Sequence, residues 1–254
     1  MPTGRVIIVT GANNGIGLGL ARALAVGEDR VACLDLTGEN LTGLRFIRCD
    51  VTDPVQVEVS VAAIIADWGR IDILVNNACL AIFAPFEEKA LADTRREFEV
   101  NYYGYINMIC AVLPSMKAQH GGIIHNLSST VGTSGFAGIY GYCSTKGAIE
   151  ALSRTLAIEF APYGITVNII HPPLTRTRSS APLGVPPQFM ADPALVGRKL
   201  AKKIGSRKAV VTPGLGESLG VLASKLAPEM MGKFLSRRAA ASREAESSTS
   251  DHAV

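Results

Sequence analysis

Tyr142-Cys143-Ser144-Thr145-Lys146 sets a lysine four residues after a tyrosine. On a helix that spacing puts both side chains on one face, so an ammonium can stand close to a phenol oxygen. A phenol with its ordinary pKa near 10 is a poor base at neutral pH, and a fixed cation favours its phenolate. Bringing such a phenol to neutrality takes about 4 kcal/mol of differential stabilisation. Of the six tyrosines, only Tyr142 has a lysine at this spacing. The chemistry on offer is proton transfer to and from an oxygen.

A second group of residues offers a seat for a phosphate. Thr10-Gly11-Ala12-Asn13-Asn14-Gly15-Ile16-Gly17 follows a strand-like run and opens a helix-like one. Glycines there let the backbone turn tightly against a pyrophosphate, and the helix N-terminus presents unpaired N–H groups to its charge. Asp35 ends the next apolar run. A carboxylate at that position accepts hydrogen bonds from adenosine ribose hydroxyls and repels a 2′-phosphate. No Arg or Lys stands in the Gly-rich stretch or immediately after Asp35, which favours NAD over NADP. Asp50-Val51 could reach the adenine amino group. Asp50 could instead cap the helix beginning near Pro54, a role that Thr52 or Asp53 fills better.

These residues need a frame. Arg5–Thr10, Val31–Asp35, Leu44–Cys49, Ile71–Val75, Ile123–Leu127, Ile165–Ile170 and Lys208–Thr212 read as strands. Their nearly continuous apolar character predicts burial on both faces, as in a parallel sheet. Helix-length segments lie between most of them: Gly15–Val26, Pro54–Trp68, Glu87–His120 as two helices, and Tyr142–Tyr163. The expected fold is therefore α/β: one Rossmann-type, doubly wound parallel sheet of seven strands, with helices on both faces in three layers. The short link between the second and third strands should be a turn or a single helical turn. A single domain over residues 1–240 is expected, with a substrate loop at about 172–195. A helical flap at about 215–240 and a disordered tail at 241–254 follow.

With the residues placed, the chain resembles the short-chain dehydrogenase/reductase family. The resemblance runs from Thr10 to Thr177 and rests on the T-G-x-x-x-G-x-G start, Asn76-Asn77-Ala78 after the fourth strand and Asn101 inside a helix. Ser129 then follows the fifth strand, with Tyr142 thirteen residues later and Lys146 four beyond that. The resemblance implies that Tyr142 is the general acid/base and that Lys146 lowers its pKa and holds the nicotinamide ribose. It further implies that Ser129 steadies the substrate oxygen and that Asn101 anchors a proton-relay water. Ser128 is the less favoured serine because of its spacing to Tyr142. The cofactor contacts implied are Gly11, Asn13, Asn14, Gly15, Ile16, Gly17, Asp35, Asp50, Val51, Asn77, Ala78, Tyr142, Lys146 and Thr177. Tyr140 could line the cleft but has Ser144 four residues on, which makes it a poor base. His125 and His171 read as packed or capping residues.

Two positions depart from the family pattern. Cys79 stands where a glycine is usual, and if that glycine is needed for positive φ or a close contact, Cys79 strains the turn or reshapes the cleft. Pro173 replaces another glycine, fixing φ and removing an N–H beside the nicotinamide. Neither removes an acid/base group. The expected activity is NAD-dependent interconversion of a secondary alcohol and a ketone on an apolar or lipid-like substrate. The alternatives are an NADP-dependent carbonyl reductase of the same family or a non-catalytic dinucleotide-binding redox sensor.

Composition bounds the partners. Lys and Arg number 25 against 22 acidic residues, a net charge of +3, too mild a balance for nucleic acid or an anionic membrane. No run reaches the roughly eighteen apolar residues that a membrane span requires, and the first residues leave no room for a signal peptide. The five scattered cysteines and the lack of clustered histidines fit a reducing compartment with no metal site, hence the cytoplasm. The family resemblance implies a homodimer or homotetramer built partly on helices Tyr102–His120 and Tyr142–Tyr163.

Overall fold

The computed structural model describes residues 4–183 and 185–237. The expected tail at 241–254, and the last part of the expected flap, lie outside them. The strands are β1 (Val6–Thr10), β2 (Arg30–Asp35), β3 (Arg45–Arg48), β4 (Ile73–Asn76), β5 (Gly122–Leu127), β6 (Ile165–Ile170) and β7 (Val210–Val211). All pair in parallel, in the order β3-β2-β1-β4-β5-β6-β7. The chain builds outward from β1 to β3, then crosses back to β4 on the other side of β1. That reversal leaves a crevice at the carboxyl ends of β1 and β4, where an open parallel sheet takes its ligands.

The apolar runs are continuous because both faces of the sheet are covered. Along β1, Val6 and Ile8 enter one core with Leu74, Ile124 and Val167. Ile7 and Val9 enter the other with Cys33, Ile73 and Val75. The first core is closed by α2 (Pro54–Trp68), by α4 (Gly104–Ala118) and by the end of α6 (Tyr140–Phe160). The second is closed by α1 (Gly15–Leu24) and α7 (Pro193–Ala201). The remaining helices are α3 (Leu91–Phe98), the single turn α5 (Val131–Ser134) and α8 (Leu215–Leu226). Residues 228–237 are also helical.

Sequence reasoning placed most of this frame and missed three parts of it. The expected helix pair within Glu87–His120 is α3 and α4 joined through a wide π turn, Glu99–Tyr103, rather than through a loop. Strand β7 keeps only two of the five residues expected. Helix α7 was not anticipated, although Asp192 caps it by accepting from the Leu195 N–H at 2.8 Å and Pro193 opens it, a recognised start pattern. It packs backbone against backbone on α1: a Cβ on Gly197 would lie 2.2 Å from the Gly19 carbonyl carbon. No described helix is long and apolar enough to cross a membrane.

Candidate active site

A cavity of about 600 Å3 follows the carboxyl ends of the strands. At one end it is lined by Asp35, Leu36 and Asp50, in the middle by Gly11, Gly15, Ile16, Asn77 and Ala78, and at the other end by Ser129, Tyr142 and Lys146. The sheet brings the Gly-rich turn, Asp35, Asp50, Asn77 and Ser129 together at its strand ends, and α6 adds Tyr142 and Lys146.

The Gly-rich turn fits a dinucleotide. Gly11 has φ +62, and a Cβ there would stand 2.7 Å from the Ala78 Cα; only glycine brings the two backbones this close. Asn14 precedes α1 with no side-chain cap bond, so the N–H groups of the first helical turn are left for an anion. Thr177 reaches the turn from the loop after β6, its Cγ2 lying 2.9 Å from where a Gly15 Cβ would be. Val51 also lines the cavity. Asn13 and Gly17 do not line it. The Asn13 amide donates to Thr37 Oγ1 at 2.9 Å and to Glu39 Oε2 at 2.7 Å, and its oxygen accepts from the Asn40 N–H. Its side chain is therefore a strut for the β2–β3 loop.

The acidic residues are aimed by backbone donors. Asp35 accepts from the N–H groups of Asn13 and Leu36 at 2.8 Å each. Asp50 accepts from Thr52 N–H and Oγ1, while Asp53 caps α2 through Val55 and Gln56. The capping alternative for Asp50 is thus filled by its neighbour. Glu39 is held below the usual carboxylate range by hydrogen bonds from Thr37, from its own N–H and from Asn13, with a smaller pull from the Arg178 charge. Arg178 lines the same cavity. It is a cation that comes to this end from a distant loop and that local motif reading overlooked.

At the other end, α6 carries Tyr142 and Lys146 on one face. The Lys146 Nζ lies 5.5 Å from the Tyr142 ring centre. It donates to the Leu127 carbonyl at 2.8 Å and to Tyr105 Oη at 3.5 Å. The expected depression of the phenol pKa is not what this geometry gives. Burial raises the Tyr142 pKa above its ordinary value and neighbouring Cys79 adds to the rise, with the Ser129 hydroxyl pulling against them. The physical reason is that the phenol is out of water.

Ser129 therefore acts on the phenol, whereas Ser128 is bonded to the Lys146 carbonyl at 3.3 Å and to the Glu150 carboxylate. Asn101, fully buried in the π turn, does not reach the cavity wall. Its amide donates to the Leu80 carbonyl at 2.8 Å and to Thr145 Oγ1 at 3.1 Å, and its oxygen accepts from the Leu80 N–H. Tyr140 is also off the cavity, with its ring 4.9 Å from that of Phe86. His125 lies buried with its ring nitrogens 2.5 Å from Asn168 Oδ1 and 2.7 Å from the Ile204 carbonyl, a packed residue as expected. Tyr105, four residues beyond Asn101 on the same helical run, was not singled out from the sequence; that spacing was the available signal.

Cys79 is unstrained. Among the described residues only His120 combines a side chain with positive φ, so the backbone at 79 has no need of glycine. Burial raises the pKa of its thiol, and the Lys146 charge opposes the rise, so the thiol stands beside that ammonium. Pro172 and Pro173 line the cavity, and the Pro173 carbonyl accepts from Thr175 Oγ1 at 2.7 Å. No described group of three or more His, Cys, Asp or Glu could hold a metal.

Comparison with known proteins identifies the family and agrees with the fold. Residues 5–185 match the family model described as short chain dehydrogenase. The D-threitol dehydrogenase of Mycolicibacterium smegmatis is 36% identical over 185 residues, covering 68% of this chain and 71% of that protein. The 3-alpha-(or 20-beta)-hydroxysteroid dehydrogenase of Mycobacterium tuberculosis (strain H37Rv) is 34% identical over 182 residues, covering 68% and 70%. A crystal structure of a short-chain dehydrogenase from Streptomyces avermitilis superposes with a TM-score of 0.78 at 30% identity, covering 93% of this chain and 98% of that one.

Proposed function

The chain belongs to the short-chain dehydrogenase/reductase family of NAD(P)-dependent oxidoreductases acting on CH–OH groups, and from that premise we propose that it interconverts a secondary alcohol and a ketone with NAD. The observation that carries this reading is that Ser129, Tyr142 and Lys146 share one cavity with the Gly-rich turn. When bound, the nicotinamide supplies the hydride acceptor. Tyr142 takes the hydroxyl proton, and Ser129 holds the same oxygen in place. Lys146 orients the nicotinamide ribose and adds positive charge near the phenol. Asn101 fixes the Leu80 segment and α6 in register, and its side chain has no group left to hold a relay water. Gly11, Gly15, Ile16, Asn77, Ala78, Val51 and Thr177 hold the dinucleotide.

The substrate class follows from the walls near Tyr142. Ala81, Phe83, Phe136, Ile139, Leu183 and Leu235 surround that end of the cavity, a lining that suits an apolar, lipid-like alcohol. Residues 172–195 and 215–237 act as substrate loop and flap in this reading, since Leu174, Phe189 and Leu235 reach the cavity. A steroid-acting relative supports it; the D-threitol-acting one makes small polyols the competing class.

Asp35 supports NAD. Arg178, on the cavity wall and within electrostatic reach of Glu39, is the specific observation that favours NADP as a second reading. A panel of steroid, acyl, terpenoid and polyol alcohols, assayed with each dinucleotide by nicotinamide absorbance, tests both. Tyr142→Phe should lose turnover by at least about 100-fold and keep dinucleotide binding. Full activity in that variant, or turnover of small polyols alone, refutes the proposal. A redox sensor would keep its output without the phenol.

A homodimer or homotetramer built partly on α4 and α6 is also proposed. It is supported by outward residues such as Ile158, which is 78% exposed; a monomer at micromolar concentration by light scattering would rule it out. The unpaired cysteines suit a cytoplasmic protein.

A further inference from the structure

Behind the wall that carries Tyr142, Lys89 and Glu97 form an ion pair with Nζ and Oε2 2.5 Å apart and both side chains fully buried. The proton transfer described above uses neither. Charges removed from water are offset only where their geometry is good and their remaining donors and acceptors are filled. One residue fills them here. Ile82 donates its N–H to Glu97 Oε1 at 2.8 Å, and its carbonyl accepts from Lys89 Nζ at 2.9 Å. The pair therefore grips both backbone groups of a single residue on the cleft wall. The neighbours Ala81 and Phe83 line the cavity and Ile82 does not, the alternation of an extended segment.

The same pair abuts the start of α6. A Cβ on Gly141, the residue before Tyr142, would stand 2.0 Å from Glu97 Oε2 and 2.8 Å from Lys89 Nζ. Lys89 Nζ lies 5.1 Å from the Tyr140 ring centre, and the Tyr140 hydroxyl accepts from Thr94 Oγ1 at 2.9 Å. One buried contact thus touches both the segment that shapes the cleft and the backbone that leads into the acid/base tyrosine.

We propose that Lys89 and Glu97 are positioning residues that lock the register of 81–83 and its stand-off from α6, and so determine which alcohols fit beside Tyr142. Two apolar side chains could fill the same space but would leave the Ile82 N–H and carbonyl unpaired. A slip of one residue would turn Phe83 out of the cavity and Ile82 into it. The inference rests on the reading of this cavity as the substrate site.

The test compares wild type with Lys89→Met/Glu97→Leu, which removes both charges together, and with Glu97→Gln, which keeps an acceptor for Ile82. Gly141→Ala, which pushes a methyl group into the pair, is the further variant if the double one does not fold. Each is assayed for kcat and KM on two alcohols of different bulk, for NADH binding by fluorescence, and for hydrogen exchange across 79–84. Expected for the double variant are NADH affinity within about 2-fold and a fall in kcat/KM of about 10-fold or more, with an altered ratio between the alcohols. Exchange in 79–84 should rise while the sheet stays protected, with Glu97→Gln lying nearer wild type. A purely structural pair would lower the melting temperature and leave the alcohol ratio and the exchange of 79–84 unchanged; that result overturns the proposal. Wild type that oxidises no alcohol with either dinucleotide would refute the assigned activity instead, and the exchange measurement would still judge the lock.

Discussion

Thr10 and Asn77 tie together the two strand ends that form the crevice. The Thr10 hydroxyl accepts the N–H groups of Asn77 and of Ala78 at 3.0 Å each, and the Asn77 amide donates back to the carbonyls of Thr10 and Gly11 at 2.9 and 3.0 Å. Thr10 closes β1 and Asn77 follows β4, so the bonds span the place where the strand order reverses. They hold the Gly-rich turn against its opposite wall, within the distance that Gly11 alone permits.

Thr10→Val keeps the shape of that side chain and removes the acceptor for two N–H groups. Each buried donor left unpaired costs about 1–3 kcal/mol, so a loss of about 2–6 kcal/mol is expected in urea unfolding. NADH should bind at least about 10-fold more weakly, corresponding to about 1.4 kcal/mol. Unchanged stability and binding would show that the clip is dispensable.

Tyr142 should ionise late in the free protein. Burial and the nearby Cys79 move its phenol above the ordinary value of 10.0, and Ser129 holds it back. Phenolate difference spectra of wild type against Tyr142→Phe should therefore show no Tyr142 signal at pH 7 to 10. Ser129→Ala should delay the signal further. A phenolate at neutral pH without dinucleotide would contradict this account.

Glu150 contributes to stability in one direction of pH. Its Oε1 lies 2.9 Å from His171 Nε2 and its Oε2 accepts from Arg154 at 3.2 Å. Burial works to raise its pKa, but His171, Ser128 and Lys225 together outweigh burial and bring it below the usual carboxylate value of 4.5. A pKa lower in the folded than in the unfolded state gives stability that is complete above the unfolded value and disappears as pH falls through the folded one. Glu150→Gln should thus lower stability by about 2 kcal/mol at pH 7, with the gap to wild type shrinking below about pH 4.5. A gap that widens on acidification would mean the sign is wrong.

Asp35 and Arg178 can be separated by cofactor. Asp35→Ala should raise KM for NAD by about 10-fold, the size of one lost charge-assisted hydrogen bond, and narrow the preference over NADP. Arg178→Ala should leave NAD kinetics within about 2-fold if NAD is the working cofactor. Collapse of NADP turnover in the arginine variant, with NAD turnover weak throughout, would assign the enzyme to NADP.

The parts of the fold that were legible in sequence are those fixed by local chemistry. Continuous apolar runs gave six of the strands nearly in place, and β6 matches its expected span residue for residue. The Gly-rich turn, Asp35 and the Tyr142–Lys146 pair needed only spacing. What stayed hidden depends on where a side chain turns after the backbone is placed. Asn13 lies in the motif yet faces the β2–β3 loop, and Arg178 reaches the adenosine end from a distant loop. The direction of the Lys146 ammonium was equally hidden, because its acceptor, the Leu127 carbonyl, belongs to a strand end far from α6 in sequence. The supposed strain at Cys79 failed for the opposite reason: sequence names a residue type, whereas only the φ angle decides whether glycine is required.

The wide turn at Glu99–Tyr103 makes this stretch more sensitive to length than to identity. A π turn accommodates one more residue than regular winding does, and each residue of an α-helix advances it by about 100°. Deleting one codon between 99 and 103 would let the rod close into regular winding with α4 on the same face, whereas inserting one would swing all of α4 by about that angle, taking Met108 and Val112 out of the core in a single event. Insertion of one alanine after Val100 should therefore abolish soluble expression, whereas Val100→Ala survives. Insertions, rather than point changes, are what this part of the gene is least able to absorb.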